Sequence, residues 1–311
     1  MQGIVLKSTG SWYEVRLTSG DVVDCRLKGK IRLLELNTTN PIAVGDLVDI
    51  ENEDTEIVIS KIHDRKNYIV RESPKKKYAR HIIAANVDQL FLIVTIASPR
   101  TSTGFIDRFL MTAEAYHIPA SIIINKQDTY DEKALEKQAE MLEIYEPIGY
   151  PCHLISALDS NHVKFLEDLL QNKITLFSGH SGVGKSTLIN ALNPLLDLRV
   201  GEISNKHDKG IHTTTFAEMI ILNNDTYIID TPGIKEFGIM NFELEEIGQY
   251  FREFKAVMND CQFNNCLHLE EPNCAVKNAM EQGKIHPERY FNYVSILEGY
   301  KENFNYWERK S

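Results

Sequence analysis

The chain carries Asn125-Lys126-Gln127-Asp128 and Ser156-Ala157 ahead of the glycine-rich string Gly179-His180-Ser181-Gly182-Val183-Gly184-Lys185-Ser186. Behind that string come Gly210-Ile211-His212-Thr213-Thr214-Thr215 and Asp230-Thr231-Pro232-Gly233. Short apolar runs of strand type, Ile122 to Ile124, Cys152 to Ile155, Ile174 to Phe177 and Tyr227 to Ile229, lead into four of these strings. Polar loops leaving strand ends at this spacing restrict the central part of the chain to an α/β fold.

The glycine-rich string has the strongest chemistry. It lies between the apolar run ending at Phe177 and a helix expected over Ser186 to Leu192. Glycines 179, 182 and 184 let backbone N–H groups turn inward onto phosphates, and the helix N-terminus adds its positive dipole end. Lys185 is expected on the outer phosphates and Ser186 on Mg²⁺. The whole stretch Gly179, His180, Ser181, Gly182, Val183, Gly184, Lys185, Ser186 and Thr187 is thus a candidate phosphate cradle.

The set of motifs resembles that of Ras-like GTPases in rotated order, as in the circularly permuted GTPases. That resemblance implies a guanine site in which Asp128 accepts from the base, Lys126 lies over the ring and Asn125 ties its loop to the phosphate loop. Ser156 and Ala157 would supply a backbone N–H to the guanine oxygen. Asp230 would hold Mg²⁺ through water, the Gly233 N–H would meet the γ-phosphate, and either Thr213 or Thr214 would close on metal and phosphate. Rotation also makes the segment after Gly233 both second switch and linker, so γ-phosphate contacts could pull on whatever begins near residue 241.

Flanking segments add two modules. Residues 1–68 read as five short alternating strands, Gly3 to Ser8, Trp12 to Leu17, Asp21 to Leu27, Asp46 to Glu51 and Glu56 to Ile62, which suits an OB-type barrel. Such barrels bind RNA through one face, making Trp12, Tyr13 and the basic string Arg26, Lys28, Lys30 and Arg32 candidate contacts. A second basic stretch is Arg71, Lys75, Lys76, Lys77 and Arg80. The net charge of −10 argues against indiscriminate nucleic-acid binding by the whole surface, so any RNA contact is local. No basic and apolar leader opens the sequence and no apolar run reaches the length of a membrane span, so a cytoplasmic protein is expected.

Five cysteines occur, and three fall within 14 residues as Cys261-x4-Cys266-x-His268-x5-Cys274. Thiolates and an imidazole this close can close a tetrahedral Cys₃His shell, structural because it leaves no position for substrate. Zn²⁺ is the expected ion, since disulfides are disfavoured in the cytosol. Cys25 and Cys152 are expected only to pack. Helices are expected at about Glu243 to Met258 and from Pro287 to about Trp307, the latter with Tyr290, Phe291, Val294, Leu297, Tyr300 and Phe304 on its packed face. Tyr306 and Trp307 are candidates for RNA stacking.

Together the barrel, the rotated motifs, Ala85-Asn86-Val87-Asp88-Gln89 at the start of the central region and the Cys/Cys/His/Cys knuckle resemble the RsgA family of small-ribosomal-subunit-dependent GTPases. The resemblance implies an OB domain over 1–68, a circularly permuted P-loop GTPase domain over 69–240 and a zinc-binding helical domain over 241–311. It also implies a monomer that binds the 30S subunit and its 16S rRNA late in maturation and hydrolyses GTP to GDP. Ile234 stands where Ras-like enzymes carry the water-orienting Gln, so unassisted turnover is expected to be slow, on the order of 10⁻⁴ s⁻¹, and ribosome-stimulated. His212 is the candidate for positioning the water. The alternative is a nucleotide-sensing rRNA-binding regulator in which hydrolysis is incidental.

Overall fold

The computed structural model describes residues 1–28, 41–53, 56–72, 80–196, 217–223, 225–230 and 242–308. The chain starts with β1 (Gln2–Ser8), β2 (Tyr13–Leu17), β3 (Val22–Leu27), β4 (Leu47–Glu53) and β5 (Glu56–Ile62). Pairing runs β1-β2-β3-β5-β4 and returns through β1 with β4, which closes a five-stranded barrel and leaves it without an open edge. Alternation along the strands fills its centre with Val5, Tyr13, Val15, Cys25, Ile42, Val48, Ile50 and Ile59. Ile4 and Leu6, on the other face of β1, join the core of the central sheet instead. Lys7 pairs with Glu218 in backbone register, so barrel and sheet share a strand edge as well as a core.

A two-stranded ribbon, β6 (Tyr68–Glu72) and β7 (Arg80–Ala85), leads into the central sheet. The sheet comprises β8 (Gln89–Val94), β9 (Ala120–Ile124), β10 (Cys152–Leu154), β11 (Ile174–Ser178), β12 (Glu218–Asn223) and β13 (Thr226–Asp230). Its order is β10-β9-β8-β11-β13-β12, parallel except for β12. Helices α1 (Thr103–Ala115), α2 (Glu132–Tyr145), α3 (Ser160–Leu170) and α4 (Lys185–Leu192) connect these strands. Two apolar cores result, one with Leu90, Leu92, Val94, Ile122, Ile124 and Leu176, the other with Phe91, Ile93, Ile123, Phe177 and Ile228, as alternation in strands covered on both sides demands.

Asp88 makes the rotated sequence close. Its Oδ2 accepts from the Ile174 N–H at 2.7 Å, and its backbone N–H donates to the Ile174 carbonyl at 2.8 Å, pinning the start of β8 to that of β11. Gln89 adds donations to Leu169 O and Thr175 Oγ1, both at 3.0 Å. Gly45 (φ 90°) is required at the barrel's join, since a Cβ there would lie 2.2 Å from the Ala85 carbonyl oxygen.

The C-terminal part is less regular than its sequence suggests. Instead of one helix over Glu243 to Met258 there are 3-10 turns at Leu244–Tyr250 and Met258–Asp260 around the short α5 (Arg252–Lys255). Phe251 is extended at the break (φ −103°, ψ 110°), which buries Phe251 and Phe254 together and turns Glu253 inward. Helices α6 (Ala275–Glu281) and α7 (Pro287–Glu308) complete the fold. On α7 the buried face is Tyr290, Tyr293, Ile296 and Leu297, whereas Phe291 is 63% exposed, contrary to the helical-spacing expectation. Burial of Arg289 fixes the helix rotation and turns Phe291 outward. No described helix is long and apolar enough to cross a membrane.

Candidate functional site

Strands β8, β9, β10, β11 and β13 are parallel, so the loops at their carboxyl ends gather on one edge, where open α/β sheets bind ligands. The glycine-rich loop leaves β11 between β8 and β13. Gly179 (φ 146°), Gly182 (φ 86°) and Gly184 (φ 96°) hold backbone that side chains avoid. Two of them are also places of close approach: a Cβ on Gly179 would meet Ile93 O at 2.2 Å, and one on Gly184 would meet Asn125 Nδ2 at 2.4 Å. Gly184 precedes α4 with no side-chain cap, which leaves the first N–H groups of that helix to a ligand.

Lys185 folds back over this loop, its Nζ donating to Gly179 O at 2.5 Å and His180 O at 3.0 Å. Burial holds its ammonium below the ordinary lysine range, with Asp230 at the end of β13 pulling the other way. Val183 is buried beneath the loop, Ser186 and Thr187 are half-buried at the start of α4, and Ser181 is exposed. His180 stacks its ring on Phe105 of α1 at 3.8 Å between centroids, and burial lowers its basicity.

The Asn125 to Asp128 loop meets the phosphate loop directly. Asn125 is 1% exposed and its Nδ2 donates to Val183 O at 2.8 Å. Lys126 takes a left-handed backbone (φ 67°) and sends Nζ to Ser98 O at 2.7 Å, along the loop after β8 that lies against Gly182 through Pro99. Asp128 is exposed apart from Oδ1, which accepts from Ser156 Oγ at 2.5 Å. The Ser156 hydroxyl also accepts from Leu158 N at 3.2 Å, bringing Ala157 beside the same carboxylate. Hydrogen bonds thus tie Asn125 to the phosphate loop that Lys185 closes, and Asp128 to Ser156, although 60 residues separate Asn125 from Lys185.

Two side chains that sequence motifs miss brace these loops. Tyr130 OH donates to Asn125 O at 2.6 Å and accepts from Ile96 N at 2.9 Å, locking the base-side loop to the loop after β8. Its hydroxyl is pushed up by burial and stays protonated. His162 Nδ1 accepts from Ser156 N at 3.1 Å. Position gives no signal for either, because a tyrosine five residues after Asn125 or a histidine on a polar helix face has no motif of its own. His212, Thr213, Thr214 and Gly233, and the linker expected after Gly233, lie outside the described residues. So do Lys30, Arg32, Lys75, Lys76 and Lys77, and the side chains of Arg71, Arg80, Phe304, Tyr306 and Trp307. Of the barrel's aromatic pair, Tyr13 fills the core, while Trp12 is 46% exposed beneath the Arg26 guanidinium, 4.2 Å from its ring.

A second centre lies in the C-terminal part. Cys261, Cys266, His268 and Cys274 each offer one ligand atom, all within 4.8 Å of one another. His268 Nδ1 is 3.6 Å from Cys261 Sγ and 3.4 Å from Cys274 Sγ. Zinc radii of about 2.3 Å to sulfur and about 2.0 to 2.1 Å to nitrogen give a tetrahedral S to N edge of about 3.5 Å, so the donor set fits that ion. Nε2 faces the other way, buried near Gly248 without a hydrogen-bond partner among the described residues. Burial, with repulsion from Cys274 and Cys261, pushes the Cys266 thiol up to about 12, so a cation is needed to hold this cluster as thiolates. The Glu271 carboxylate accepts from Leu267 N and Leu269 N, both at 2.8 Å, and Tyr290 OH donates to His268 O at 2.7 Å, which fixes the histidine. Cys25 and Cys152 stand apart from this cluster as free thiols.

A parallel α/β sheet with this loop set, in rotated chain order, defines a circularly permuted P-loop GTPase. The RsgA N-terminal domain model matches residues 2–59 and the RsgA GTPase model residues 62–240. The small ribosomal subunit biogenesis GTPase RsgA of Flavobacterium psychrophilum is 52% identical over 308 residues, covering 98% of this chain and 94% of that protein. Its namesake in Bacteroides fragilis is 51% identical over 303 residues, covering 97% of this chain and 98% of the relative. The crystal structure of YjeQ from Thermotoga maritima superposes with a TM-score of 0.78 at 38% identity, covering 96% of this chain and 98% of that one. That of YloQ, described as a circularly permuted GTPase, does so with 0.74 at 31% identity, covering 97% and 95%. The chain belongs to the RsgA GTPase family.

Proposed function

We propose that this GTPase binds the small (30S) ribosomal subunit through its 16S rRNA and assists late maturation, its turnover rising on that particle. The observation that carries the nucleotide site is the 2.8 Å bond from Asn125 to Val183 O, which joins the base-side loop to the phosphate loop across the rotated order. Asp128 presents a carboxylate to the paired N–H donors of guanine, and adenine has no such pair. Ser156 holds the other side of that carboxylate, and Ala157 offers its N–H to the guanine oxygen. Lys185 and the N–H groups of 179–187 take the phosphates, Lys185 through the ammonium donor that the two loop carbonyls leave over. Ser186 and Asp230, with Thr213 or Thr214, are the residues to hold Mg²⁺, which supplies charge neutralisation at the β- and γ-phosphates. The Gly233 N–H meets the γ-phosphate, and His212 is the group to orient water, Ile234 being unable to do so.

Zn²⁺ is the ion for Cys261, Cys266, His268 and Cys274, as a closed structural shell. We assign residues 1–68 to the RNA-binding barrel, 69–240 to the GTPase domain and 241–311 to the zinc domain, in a monomer acting in the cytoplasm. The relatives named above support the ribosomal part, since both carry small-subunit biogenesis in their names. Calorimetry with GTP, GDP and ATP tests the nucleotide site: GTP and GDP should bind and ATP should not, whereas equal affinity for ATP would contradict the assignment of Asp128.

A further inference from the structure

Helix α1 meets the phosphate loop and α7 within its first five residues. At its start the Phe105 ring lies on the His180 imidazole, 3.8 Å between centroids and 30° between planes. At Asp107 it meets α7: Arg289 donates to Oδ1 at 2.6 Å and Asn292 to Oδ2 at 2.7 Å, in a pocket that leaves Asp107 and Arg289 almost no exposure. Thr103 Oγ1 donates to Glu288 at 2.5 Å, and a Cβ on Gly104 would stand 3.4 Å from Asn292 Oδ1. Tyr145 OH adds a bond to Asp107 at 2.7 Å, so the turn is held from α2 as well. Contacts with α7 are thus part of what positions the turn that carries Phe105.

His180 is tethered on its other side by Lys185, whose Nζ bonds its carbonyl at 3.0 Å. Two of the three ammonium donors of Lys185 are used on loop carbonyls, which leaves the third for a polyphosphate. The ring contact with Phe105 is thus a second restraint on the residue whose carbonyl the phosphate-binding lysine holds. We propose that Phe105 is a positioning residue for the phosphate loop, acting through His180, and that docking of α7 on Asp107 and nucleotide affinity are linked through this first turn of α1. Linkage makes the effect reciprocal: nucleotide must tighten α7 by the factor with which docked α7 tightens nucleotide. This route passes through packed side chains and is independent of the linker after Gly233. It rests on the nucleotide site proposed above.

The test is GDP affinity and amide hydrogen exchange in the full chain for wild type, Phe105→Leu, His180→Ala and the double variant. Leucine keeps an apolar side chain on α1 while removing the ring contact. Each single change should weaken GDP by roughly fivefold or more, and the double variant should be no weaker than the worse single. GDP should slow exchange across 287–297 in wild type and leave it unchanged in Phe105→Leu. Additive affinity losses, or equal GDP protection of α7 with and without the Phe105 ring, would overturn the proposal. Failure of wild type to bind GDP at all would instead remove the nucleotide site, and this coupling with it.

Discussion

Lys185 is held with its charge partly disfavoured, and phosphate is the group that would relieve it. Its free-state pKa is depressed by burial, so on raising the pH it loses its proton before an ordinary lysine does. The bound state, facing phosphate oxygens, keeps that proton to higher pH. Nucleotide affinity should therefore fall as pH rises through the depressed value, with proton uptake on binding in that window. Calorimetry in buffers of different ionisation enthalpy checks this, and pH-independent affinity up to the ordinary lysine range would contradict it. Tyr130→Phe removes the hydroxyl that joins Asn125 O to Ile96 N, leaving two inward polar groups short of a partner at a cost of about 1–3 kcal/mol. Guanine nucleotide affinity should drop with it. Asn125, Asp128 and Lys185 were legible because each belongs to a local string whose chemistry needs those neighbours. Tyr130 and His162 were not, because their meaning lies in contacts across loops that a linear pattern does not record.

At the level of elements, the joint between α1 and α7 is built from charge as well as apolar contact. Arg289 is bound by Asp107 at 2.6 Å and by Glu253 at 2.6 Å and 3.1 Å, and its guanidinium lies 4.5 Å from the Phe251 ring. Removing the cation alone strands two buried carboxylates, so Arg289→Met should destabilise by about 3–5 kcal/mol. Lys164, exposed and 2.9 Å from Glu167, is a milder case, and Lys164→Ala should cost only a small fraction of that. Thermal melts of both variants read the contrast, and equal losses would contradict it. The same joint explains where periodicity misled: a stripe through Phe291 is as helical as one through Tyr293, but only burial of Arg289 decides which faces inward. Likewise no local signal breaks the helix expected over Glu243 to Met258. The break at Phe251 comes from packing two phenylalanines and one carboxylate into a single core.

At the scale of the molecule, three of the four cores are linked at separate points: β1 shares its outer face with the central sheet, and Met111 of α1 enters the core around the cysteine cluster. The cysteine cluster sits inside that last core, so removal of the ion proposed for it should loosen α6 and α7 first. Hydrogen exchange after chelation should report faster exchange there than in β8 to β11, and a uniform change would contradict a local structural role. The barrel and the sheet were readable from alternating strands and from motif order. Closure of β1 onto β4 and the sharing of β1 between two cores depend on tertiary pairing, which strand patterns leave open.

As proposed above, the rotated loops form one guanine nucleotide site whose turnover depends on a ribosomal partner. GTP turnover by the purified chain, with and without purified small ribosomal subunits at a stated salt concentration, tests it most directly. Turnover should be slow alone, on the order of 10⁻⁴ s⁻¹ as for unassisted Ras-like hydrolysis, should rise with subunits, and should be abolished in Lys185→Ala. A rate unaffected by subunits, or stimulated turnover that survives Lys185→Ala, would contradict this site and its dependence on the subunit.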